Sequence, residues 1–379
     1  MKITPEDITV LIIAIILISI YLNHWLKVSQ RFYTERSIIE EYEDIPITFL
    51  CPFKDEQDNI LNLLKCIKSI PNNLQWKWIL INDHSIDNTM EIIKQFQGNN
   101  PKINLSILNL PNGVFGKKSA IDAGVLSANT EWIYCIDADV TIIESNIHQL
   151  INETIKSSAK LAFGGIQYTG GSSFCESYQI IENTALLALG RYHFFNNRPS
   201  MGNAANMLFQ KDYYIALKPF QGNSNVLGGD DIFFIEKSWN SDKKLYFSNN
   251  PNTAFKTKVL TKWRDLFQQR IRWAQKTKYQ STKKTQKSQI LLVIFFLIYW
   301  GTIIHFMVKG LYAFYLFLLL LKTISDQYFL HRILSRSYQK IHFITIIRAS
   351  LIQPFFILFI GITQFFIRGS WKGRSSPVH

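Results

Sequence analysis

The residues with the clearest chemical potential are two carboxylates, Asp137 and Asp139, which are separated by one small residue. They follow the apolar run Ile133–Ile136, which is predicted to be a buried strand. In an open parallel sheet, ligands bind outside the carboxyl ends of the strands. Two carboxylates this close repel each other unless a cation lies between them, and Mg²⁺ and Mn²⁺ prefer oxygen ligands. The same pattern of residues also occurs in solvated turns, so this stretch alone indicates only a candidate metal site.

Strand-like and helix-like segments alternate along the chain from Ile47 onward. The predicted strands span residues 47–51, 78–81, 105–108 and 133–136, with another from 161, and the predicted helices span 58–70, 88–96, 117–127 and 147–155. This alternation predicts an α/β domain with a parallel sheet and helices on both faces. Acidic residues also follow earlier strands, with Asp55 and Glu56 after the first and Asp83 and Asp87 after the second. Several acidic strand ends in one sheet favour a cleft that binds a nucleotide and its metal ion.

Six motifs, dispersed along the chain but in order, resemble those of the inverting glycosyltransferases of family two, which have the GT-A fold. They are Pro52-Phe-Lys-Asp-Glu-Gln-Asp-Asn-Ile60, Asn82-Asp-His-Ser-Ile-Asp87, Gly116-Lys117-Lys118, Asp137-Ala-Asp139, Gly229-Asp230-Asp231 and Gln269-Arg-Ile-Arg272-Trp273. The match runs from about Ile45 to about Gln275 and is closest to membrane-attached members such as ceramide glucosyltransferases and polysaccharide synthases. The second motif departs from the family, which more often shows Asp-Asp-Gly-Ser at its start. This departure weakens the expectation of a uridine nucleotide over another base.

The resemblance implies a Rossmann-like GT-A catalytic domain and a role for individual residues. The expected donor- and nucleotide-binding residues are Pro52, Glu56, Asp83, Lys117, Asp137, Gln269, Arg272 and Trp273. Asp139, helped by Asp137, is expected to hold Mg²⁺ or Mn²⁺ on the donor diphosphate. Asp231, or else Asp230, is expected to accept the proton of the acceptor hydroxyl.

The pair Asp230 and Asp231 also permits a purely structural interpretation. An Asp directly before the apolar run Ile232–Ile235 is good N-cap chemistry for a helix. A carboxylate beside another carboxylate holds a proton more readily, which suits a general base near neutral pH. One Asp can serve each role, so both interpretations stay open.

The composition suits a membrane-attached enzyme. The chain has 379 residues, of which 47% are hydrophobic, and a formal net charge of +13. Such a charge is compatible with anionic lipid headgroups, nucleic acid or phosphorylated substrates. Residues 256–287 interleave basic and aromatic side chains, as in some RNA-binding segments, but they run into an apolar stretch. Because basic residues and Trp beside a membrane span usually lie at headgroups, we expect a membrane partner and no nucleic acid.

The same segment is predicted to contain an amphipathic interfacial helix. Its apolar side chains Leu266, Ile271 and Trp273 are expected to point inward. Arg264 and Arg270 are expected to reach lipid headgroups.

Several apolar stretches are candidates for membrane spans. Charge-free stretches of spanning length are Ile8–Leu26, Gln289–Val308 and Ala349–Ile367. A further stretch, Gly310–Leu321, is too short to cross unless Lys322 and Asp326 enter the membrane with it.

The charges around the first span predict the orientation of the chain. Asp7 precedes the span, and Lys27, Arg31 and Arg36 follow it, so the positive-inside rule places the next domain in the cytoplasm. We therefore predict a multi-pass cell-membrane protein with an anchor (residues 1–30), a cytoplasmic GT-A domain (31–287) and a C-terminal membrane region of two or three spans (288–379).

Basic residues flank the last span on both sides. Arg332, Arg336 and Lys340 precede it, and Arg368, Lys372 and Arg374 follow it. Both groups favour the cytoplasmic side, yet one span separates them. They can share a side only if one segment is re-entrant.

The predicted function is a membrane-bound, metal-dependent inverting glycosyltransferase of cell-envelope glycan biosynthesis. It would move a sugar from a nucleotide sugar, with a UDP-linked donor expected first, to a lipid acceptor. A lipid is preferred because two or three C-terminal spans are few for the wall of a polymer channel. The alternatives are a processive polysaccharide synthase and a nucleotidyl- or phosphotransferase on the same fold. The full set of acidic motifs disfavours a non-enzymatic membrane scaffold.

Overall fold

The computed structural model describes residues 3–32, 44–223, 226, 228–276, 283–337, 339–367 and 370–375, with the backbone alone for 283–289, 370–371 and 374–375. Arg36 and Arg368, two of the basic residues used to predict the topology, lie outside these ranges. The chain forms two compact units. The sheet unit comprises Thr34–Gly170, Pro199–Val259 and Ser370–His379, and the helical unit comprises Met1–Tyr33, Gly171–Arg198 and Leu260–Gly369. The division into residues 1–30, 31–287 and 288–379 stays a prediction.

The sheet unit contains a large mixed sheet and a small one. Up to residue 260 the described strands are β1 (Ile47–Phe53), β2 (Trp76–Asn82), β3 (Leu105–Asn109), β4 (Trp132–Ile136), β5 (Val140–Thr141), β6 (Leu161–Phe163), β7 (Ile166–Thr169), β8 (Asn206–Gln210), β9 (Leu245–Phe247) and β10 (Phe255–Lys258). The large sheet has the order β3-β2-β1-β4-β8-β6-β9, and the small one has the order β5-β10-β7.

Most neighbours in the large sheet are parallel, which confirms the predicted α/β class. Strand β8 differs, since it is antiparallel to both β4 and β6. The alternation of strands and helices did not predict this reversal. Parallel neighbours are joined by a crossover connection, usually a helix packed on the sheet. The connection that leads to β8 instead passes through residues 171–198, which belong to the helical unit.

The helices alternate with these strands and then dominate the second half of the chain. They are α1 (Pro5–Arg31), α2 (Ile60–Ser69), α3 (Thr89–Asn99), α4 (Lys117–Ser127), α5 (Glu144–Lys156), α6 (Phe174–Phe195), α7 (Lys211–Leu217), α8 (Asp230–Asn240), α9 (Trp263–Lys276), α10 (Lys283–Val308), α11 (Tyr312–Arg336) and α12 (Phe343–Thr363), with a 3₁₀ turn at Pro251–Thr253. Helical spacing identified α2 correctly, because Ile60, Leu63, Leu64 and Ile67 are all buried.

The core of the sheet unit explains why its central strands are apolar without alternation. All five residues of β4 are buried, as expected for a strand covered on both faces. Phe49 of β1 stacks between Trp78 and Tyr134 of the neighbouring strands, with ring centroids 4.1 and 5.3 Å away. This packing holds β1 and β4 rigidly side by side and so fixes where their carboxyl ends lie.

The helical unit contains α1, α6 and α9 to α12. Helix α1 begins with a capping box, in which the backbone N–H of Thr4 donates to the Asp7 carboxylate at 2.9 Å. The same carboxylate lies 2.7 Å from the ammonium of Lys309, just after α10. At the opposite end of α1, the Arg336 guanidinium donates to the backbone oxygen of Phe32 at 2.8 Å. The start of α1 therefore lies beside the end of α10, and its end lies beside the end of α11.

In the described part of the chain, four helices are long and apolar enough to cross a membrane. They are Pro5–Arg31, Ile290–Val308, Tyr312–Arg336 and Phe343–Thr363. Most of the short stretch Gly310–Leu321 belongs to the third of these helices, Tyr312–Arg336, which also contains Lys322 and Asp326. Both side chains are buried, and the ammonium lies 2.5 Å from the carboxylate. The Tyr21 hydroxyl donates to the other carboxylate oxygen at 3.0 Å, and Lys322 also donates to the backbone oxygen of Ser350 at 2.6 Å. Pairing and hydrogen bonding offset the cost of two charges among apolar helices.

Candidate active site

Asp137 and Asp139 lie where the large sheet gives way to the small one. Asp137 directly follows β4, and Asp139 directly precedes β5. The Thr257 hydroxyl of β10 donates to the backbone oxygen of Asp139 at 3.2 Å, which fixes the turn. The Asp139 side chain is exposed, whereas Asp137 is partly buried. Both carboxylates therefore stand at the carboxyl end of a central strand, the position at which open α/β sheets bind ligands.

Lys117 connects the Asp137 turn to a second acidic segment. Its ammonium lies 2.6 Å from Oδ1 of Asp137 and 2.8 Å from Oδ2 of Asp230. Lys117 is the first residue of α4, and Gly116 before it has a φ of 95°, a left-handed value that glycine adopts without strain. The backbone N–H of Gly116 donates to the Asp83 carboxylate at 3.0 Å. Asp83 thus fixes the turn that directs Lys117 toward the two other carboxylates.

The carboxylates keep Lys117 charged. Burial by itself lowers the pKa of this ammonium, but Asp137 and Asp230 together outweigh burial and hold the pKa well above its usual value. At neutral pH one fixed positive charge therefore lies between two carboxylates that would otherwise repel each other. It also stands where the phosphates of a nucleotide sugar are expected from the family resemblance.

Asp230 and Asp231 form the first turn of α8 and do not cap it. The N-cap is Gly229, whose φ of 79° is left-handed and which has no side chain to accept a hydrogen bond. The N-cap interpretation of the two acidic residues is therefore wrong. Negative side chains in a first turn are stabilised by the helix dipole instead. Asp230 is buried against Lys117, whereas Asp231 is partly exposed, so the two neighbours have different surroundings.

Lys118, next to Lys117 in the basic motif, has a different environment. Its buried ammonium donates to the backbone oxygens of Asn223 at 2.6 Å and Val226 at 3.0 Å, and it lies 4.3 Å from the centroid of the Phe233 ring. It holds the loop that leads into α8. The sequence places both lysines in one basic motif. In the structure they are the first two residues of α4, and their side chains contact different partners.

The loops after β1 and β2 bind each other through side chains. The Ser85 hydroxyl accepts from the backbone N–H of Asp55 at 3.0 Å, and the Asp55 carboxylate accepts from the N–H of Ile86 at 2.8 Å. The N–H of Glu56 donates to the Thr89 hydroxyl at 2.8 Å. These reciprocal bonds make one wall out of the first and second motifs, so Glu56 and Asp83 stand at one edge of the sheet.

Two features of this wall bear on the second motif and on Pro52. His84 has a φ of 59°, so the residue that replaces the family's usual glycine keeps a glycine-like backbone. Its ring lies 4.7 Å from that of Phe115, centroid to centroid. Pro52 is buried in β1 but lies beyond Leu50, where the pairing of β1 with β4 ends, so its missing N–H breaks no bond in that ladder.

The carboxylates at the Asp137 turn fit a divalent cation whose remaining ligands come from the substrate and water. Among the described residues, no group of three or more His, Cys, Asp or Glu side chains is arranged to hold a metal. Mg²⁺ commonly takes only one or two carboxylates together with phosphates and water, so Asp139 and Asp137 are sufficient. Asp139 is accessible to solvent, but the protein around its carboxylate displaces part of the hydration water, and this loss, together with the nearby Asp137 and Glu56 carboxylates, raises the pKa of Asp139 to about 6. A bound cation would relieve this repulsion.

The last motif lies in the helical unit, on α9. Leu266 and Ile271 are buried, which confirms that this face of the predicted amphipathic helix points inward. The placement of Arg270 at lipid headgroups is wrong. Its guanidinium is 5% exposed and lies 2.7 Å from the Glu182 carboxylate of α6, because a buried guanidinium needs a negative partner. It also lies 4.2 Å from the centroid of the half-buried Trp273 ring.

The structure thus brings Pro52, Glu56, Asp83, Lys117, Asp137, Asp139, Asp230 and Asp231 into the sheet unit and places Gln269, Arg272 and Trp273 in the helical unit. Gln269 accepts a hydrogen bond from the neighbouring Arg270. Sequence analysis considered Lys372 only as a topological charge, although it contacts the first motif, as described below.

Comparison with known sequences identifies relatives of this chain. Residues 48–217 match the family model described as glycosyl transferase family 2. The chain is similar to the poly-beta-1,6-N-acetyl-D-glucosamine synthase of Staphylococcus aureus (strain MSSA476), with 25% identity over 293 residues, 72% of this chain and 68% of the relative. It is also similar to the Staphylococcus epidermidis protein of that name, with 27% identity over 263 residues, 66% of this chain and 60% of the relative.

Comparison with solved structures agrees with the fold. The mannosyltransferase PcManGT from Pyrobaculum calidifontis, in complex with GDP-Man and Mn²⁺, is similar with a TM-score of 0.55 and 13% sequence identity. The similarity covers 94% of this chain and 99% of that one. At this identity the likeness concerns the fold alone, and it confirms the GT-A prediction.

Proposed function

We propose that this chain, in which residues 48–217 match the glycosyl transferase family 2 model, uses a nucleotide sugar to extend a polysaccharide at a membrane. The family match and the relatives support glycosyltransferase activity, and the names of the relatives support a polysaccharide product. The observation that carries the use of a nucleotide-sugar donor is the ammonium of Lys117 between Asp137 and Asp230, at the strand end where the family resemblance expects the donor diphosphate.

The named relatives favour a polymer over the lipid acceptor that the small number of spans suggested. Both staphylococcal relatives are synthases of poly-beta-1,6-N-acetyl-D-glucosamine by name. We therefore propose N-acetylglucosamine as the first sugar to test, from a UDP-linked donor. No comparison supports a lipid acceptor, and a lipid remains the second candidate because it fits a chain with few membrane helices.

The proposed reaction is a direct displacement at the anomeric carbon of the donor sugar. The acceptor hydroxyl oxygen forms the new bond while the bond to the diphosphate oxygen breaks, and a base removes the hydroxyl proton. Asp231 suits the base because it is partly exposed, beside the buried and ion-paired Asp230. The displacement inverts the configuration at that carbon.

The residues at the Asp137 turn would stabilise the departing diphosphate. When bound at Asp139 and Asp137, Mg²⁺ or Mn²⁺ supplies a Lewis acid for this leaving group. The Mn²⁺ in the complex of the similar mannosyltransferase fold is consistent with that choice of ion. Lys117 supplies a second, permanently fixed charge, and Asp83 orients the backbone before it.

We further propose that the sheet unit is cytoplasmic and that the helical unit lies in the cell membrane. The proposal is supported by the four apolar helices and by Lys27 and Arg31 near the C-terminal end of the first of them. The donor-binding role that the family motif implies for Gln269, Arg272 and Trp273 stays a prediction. Cysteines introduced into surface loops of the sheet unit should resist a membrane-impermeant thiol reagent in intact cells.

The decisive test is a donor screen on the full chain purified in detergent. The protein is incubated with Mn²⁺ and a panel of nucleotide sugars, and the released nucleoside diphosphate and the glycan are both analysed. We expect UDP from UDP-N-acetylglucosamine and a product of many residues. A product of one sugar on a lipid would select the second candidate, and release of pyrophosphate would indicate a nucleotidyltransferase. The Asp231→Asn variant serves as the inactive control.

A further inference from the structure

We infer that Lys372, on a hairpin after the last candidate membrane helix in the chain, is a positioning residue for the nucleotide-sugar donor. This inference rests on the proposed glycosyltransferase function and adds to it a segment outside the six motifs. The hairpin consists of β11 (Ser370–Trp371) and β12 (Arg374–Ser375), which are antiparallel. It belongs to the sheet unit.

The turn of this hairpin presents the lysine at its tip. Lys372 has a φ of 45° and Gly373 a φ of 79°, so both central residues of the two-residue turn are left-handed. Such a turn matches the twist of a β-hairpin, but it normally favours Asn or Asp before Gly. A lysine adopts this conformation only where its surroundings hold it there. The contacts of its side chain supply that constraint.

The ammonium of Lys372 is surrounded by oxygen atoms of the first motif. It donates to the backbone oxygens of Lys54 and of Asp55, the latter at 3.0 Å, and to the carboxylate of Glu56. A lysine ammonium has three N–H donors and no acceptor, so these three contacts satisfy it. The Glu56 side chain is 14% exposed and that of Lys372 is 23% exposed, which limits screening by water.

These oxygens belong to the wall that the first and second motifs share. The Lys54 ammonium donates to the backbone oxygen of His84 at 3.0 Å, and Asp55 bonds the backbone of Ile86. Asp55 itself has a left-handed φ of 50°. A cation that holds two successive backbone oxygens and the Glu56 carboxylate therefore fixes a strained loop. Without it, the loop keeps only its bonds to the second motif, and the Glu56 carboxylate keeps the hydrogen bond from Asn59 at 2.8 Å but loses its cation.

The donor-binding role assigned to Glu56 and Asp83 makes the expected effect specific. Lys372 acts on the wall beside the nucleotide, whereas Lys117 and the Asp231 carboxylate act at the diphosphate and the acceptor. Loss of Lys372 should therefore weaken donor binding and leave the chemical step nearly intact. Loss of a charge-assisted contact of this kind corresponds to about a tenfold increase in the KM for the donor.

The test uses full-length protein in detergent with UDP-N-acetylglucosamine as the donor. Lys372→Met is expected to raise the donor KM about tenfold and to change kcat by less than about twofold. Lys372→Arg, which keeps the charge, should recover part of the lost affinity. Lys102→Met is the matched control, because Lys102 is an exposed lysine of the same unit, and its KM should equal that of the wild type.

A second pair of variants tests the turn without removing the lysine. Gly373→Val forces a β-branched residue into a left-handed conformation and should reproduce the increase in KM, whereas Gly373→Asn should retain the wild-type KM. This pair also decides the case if Lys372→Met fails to fold. A Gly373→Val variant that folds with the wild-type KM would contradict the inference.

The outcomes separate this inference from the proposed function. If the wild-type chain releases nucleoside diphosphate from no nucleotide sugar, the proposed function is wrong and the donor role of Lys372 fails with it. If the wild type is active and Lys372→Met has an unchanged KM, only the role of Lys372 is wrong. A lower KM in Lys372→Met would mean that the hairpin competes with the donor, which also overturns the inference.

Discussion

The ammonium of Lys117 lies 2.8 Å from a carboxylate oxygen of Asp230, so the first residue of α4 bonds the first residue of α8. The same ammonium lies 2.6 Å from Asp137, a proposed metal ligand. A divalent cation that binds Asp137 therefore competes with Lys117 for this carboxylate. Donor and metal together can resolve the competition, because the diphosphate gives the lysine a new anionic partner.

Replacing Lys117 by Met should separate metal binding from turnover. Without the ammonium, Asp137 is free to bind Mn²⁺, so we expect the donor-free protein to bind the ion more tightly than the wild type. Turnover should fall at least about a hundredfold, because a fixed charge at the leaving group is lost. Calorimetric titration with Mn²⁺ and a diphosphate-release assay measure the two effects. Equal Mn²⁺ affinity in Lys117→Met and the Lys102→Met control would contradict the competition.

The acidic pair of α8 should divide into a catalytic and a structural member. Asp231→Asn keeps shape and loses the base, so donor binding should persist while kcat falls about a thousandfold. Asp230→Asn leaves Lys117 without one of its two carboxylates, and we expect a loss of about 2 kcal/mol in the free energy of unfolding, since the pair is only partly shielded from water. Thermal melting and kinetics of both variants give the comparison. Reversed results would exchange the two roles.

Activity should depend on a divalent cation held by Asp139. Treatment with a chelator should abolish turnover, and added Mn²⁺ or Mg²⁺ should restore it. Asp139→Ala should bind nucleoside diphosphate with no gain in affinity on addition of the ion. A variant whose nucleotide affinity still rises with Mn²⁺, as in the wild type, would remove Asp139 from the metal site.

Arg272→Lys should reduce turnover far more than membrane association. A guanidinium can donate two parallel hydrogen bonds to a diphosphate, whereas an ammonium cannot reproduce that geometry. Both side chains carry the same charge, so attraction to headgroups is retained. The kcat/KM of the variant and its partition into the membrane fraction are measured together. Unchanged turnover would leave α9 with only an interfacial role.

The buried pair in α11 gives a prediction about stability. Lys322→Met leaves the Asp326 carboxylate buried without its cation, which should reduce the free energy of unfolding by about 3–5 kcal/mol. The double variant Lys322→Met/Asp326→Leu removes both charges and should recover most of that loss. Melting temperatures in one detergent compare both variants with the wild type. A wild-type melting temperature in Lys322→Met would contradict the prediction.

Local patterns were sufficient to predict much of the sheet unit. Helical periodicity located α2 and gave the bounds of α4, and the apolar run before Asp137 predicted β4. These predictions succeed because burial of one face, or of both faces, leaves a direct mark on residues close in sequence. The carboxylates at strand ends could be placed for the same reason.

Features that depend on distant residues were not predictable. The burial of Arg270 depends on Glu182, and the position of Lys372 depends on a loop near the start of the sheet unit. Neither pairing has a local pattern. Of the two interpretations of the acidic pair at the start of α8, the N-cap was wrong, because Gly229 ends the preceding loop in a left-handed conformation that the sequence alone does not reveal.

The hairpin that carries Lys372 bears on how often the chain is expected to cross the membrane. Ser370–His379 and Pro199–Val259 belong to one compact unit, and we expect such a unit to lie on one side of a membrane. Three candidate spans separate these segments in the described chain. A chain that returns to its starting side crosses an even number of times, so one of the three helices is not expected to cross.

We expect α12 to be the helix that does not cross. The Gln275 side chain, close before α10, donates to the backbone oxygens of Gln364 and Ile367, at 2.9 and 2.7 Å, so the end of α12 lies beside the segment that leads into α10. Pro354 lies inside α12 and removes one of its backbone hydrogen bonds. If α12 enters and leaves on the same side, the basic residues that precede and follow it share that side, and we expect the chain to pass fully through the bilayer three times, in α1, α10 and α11.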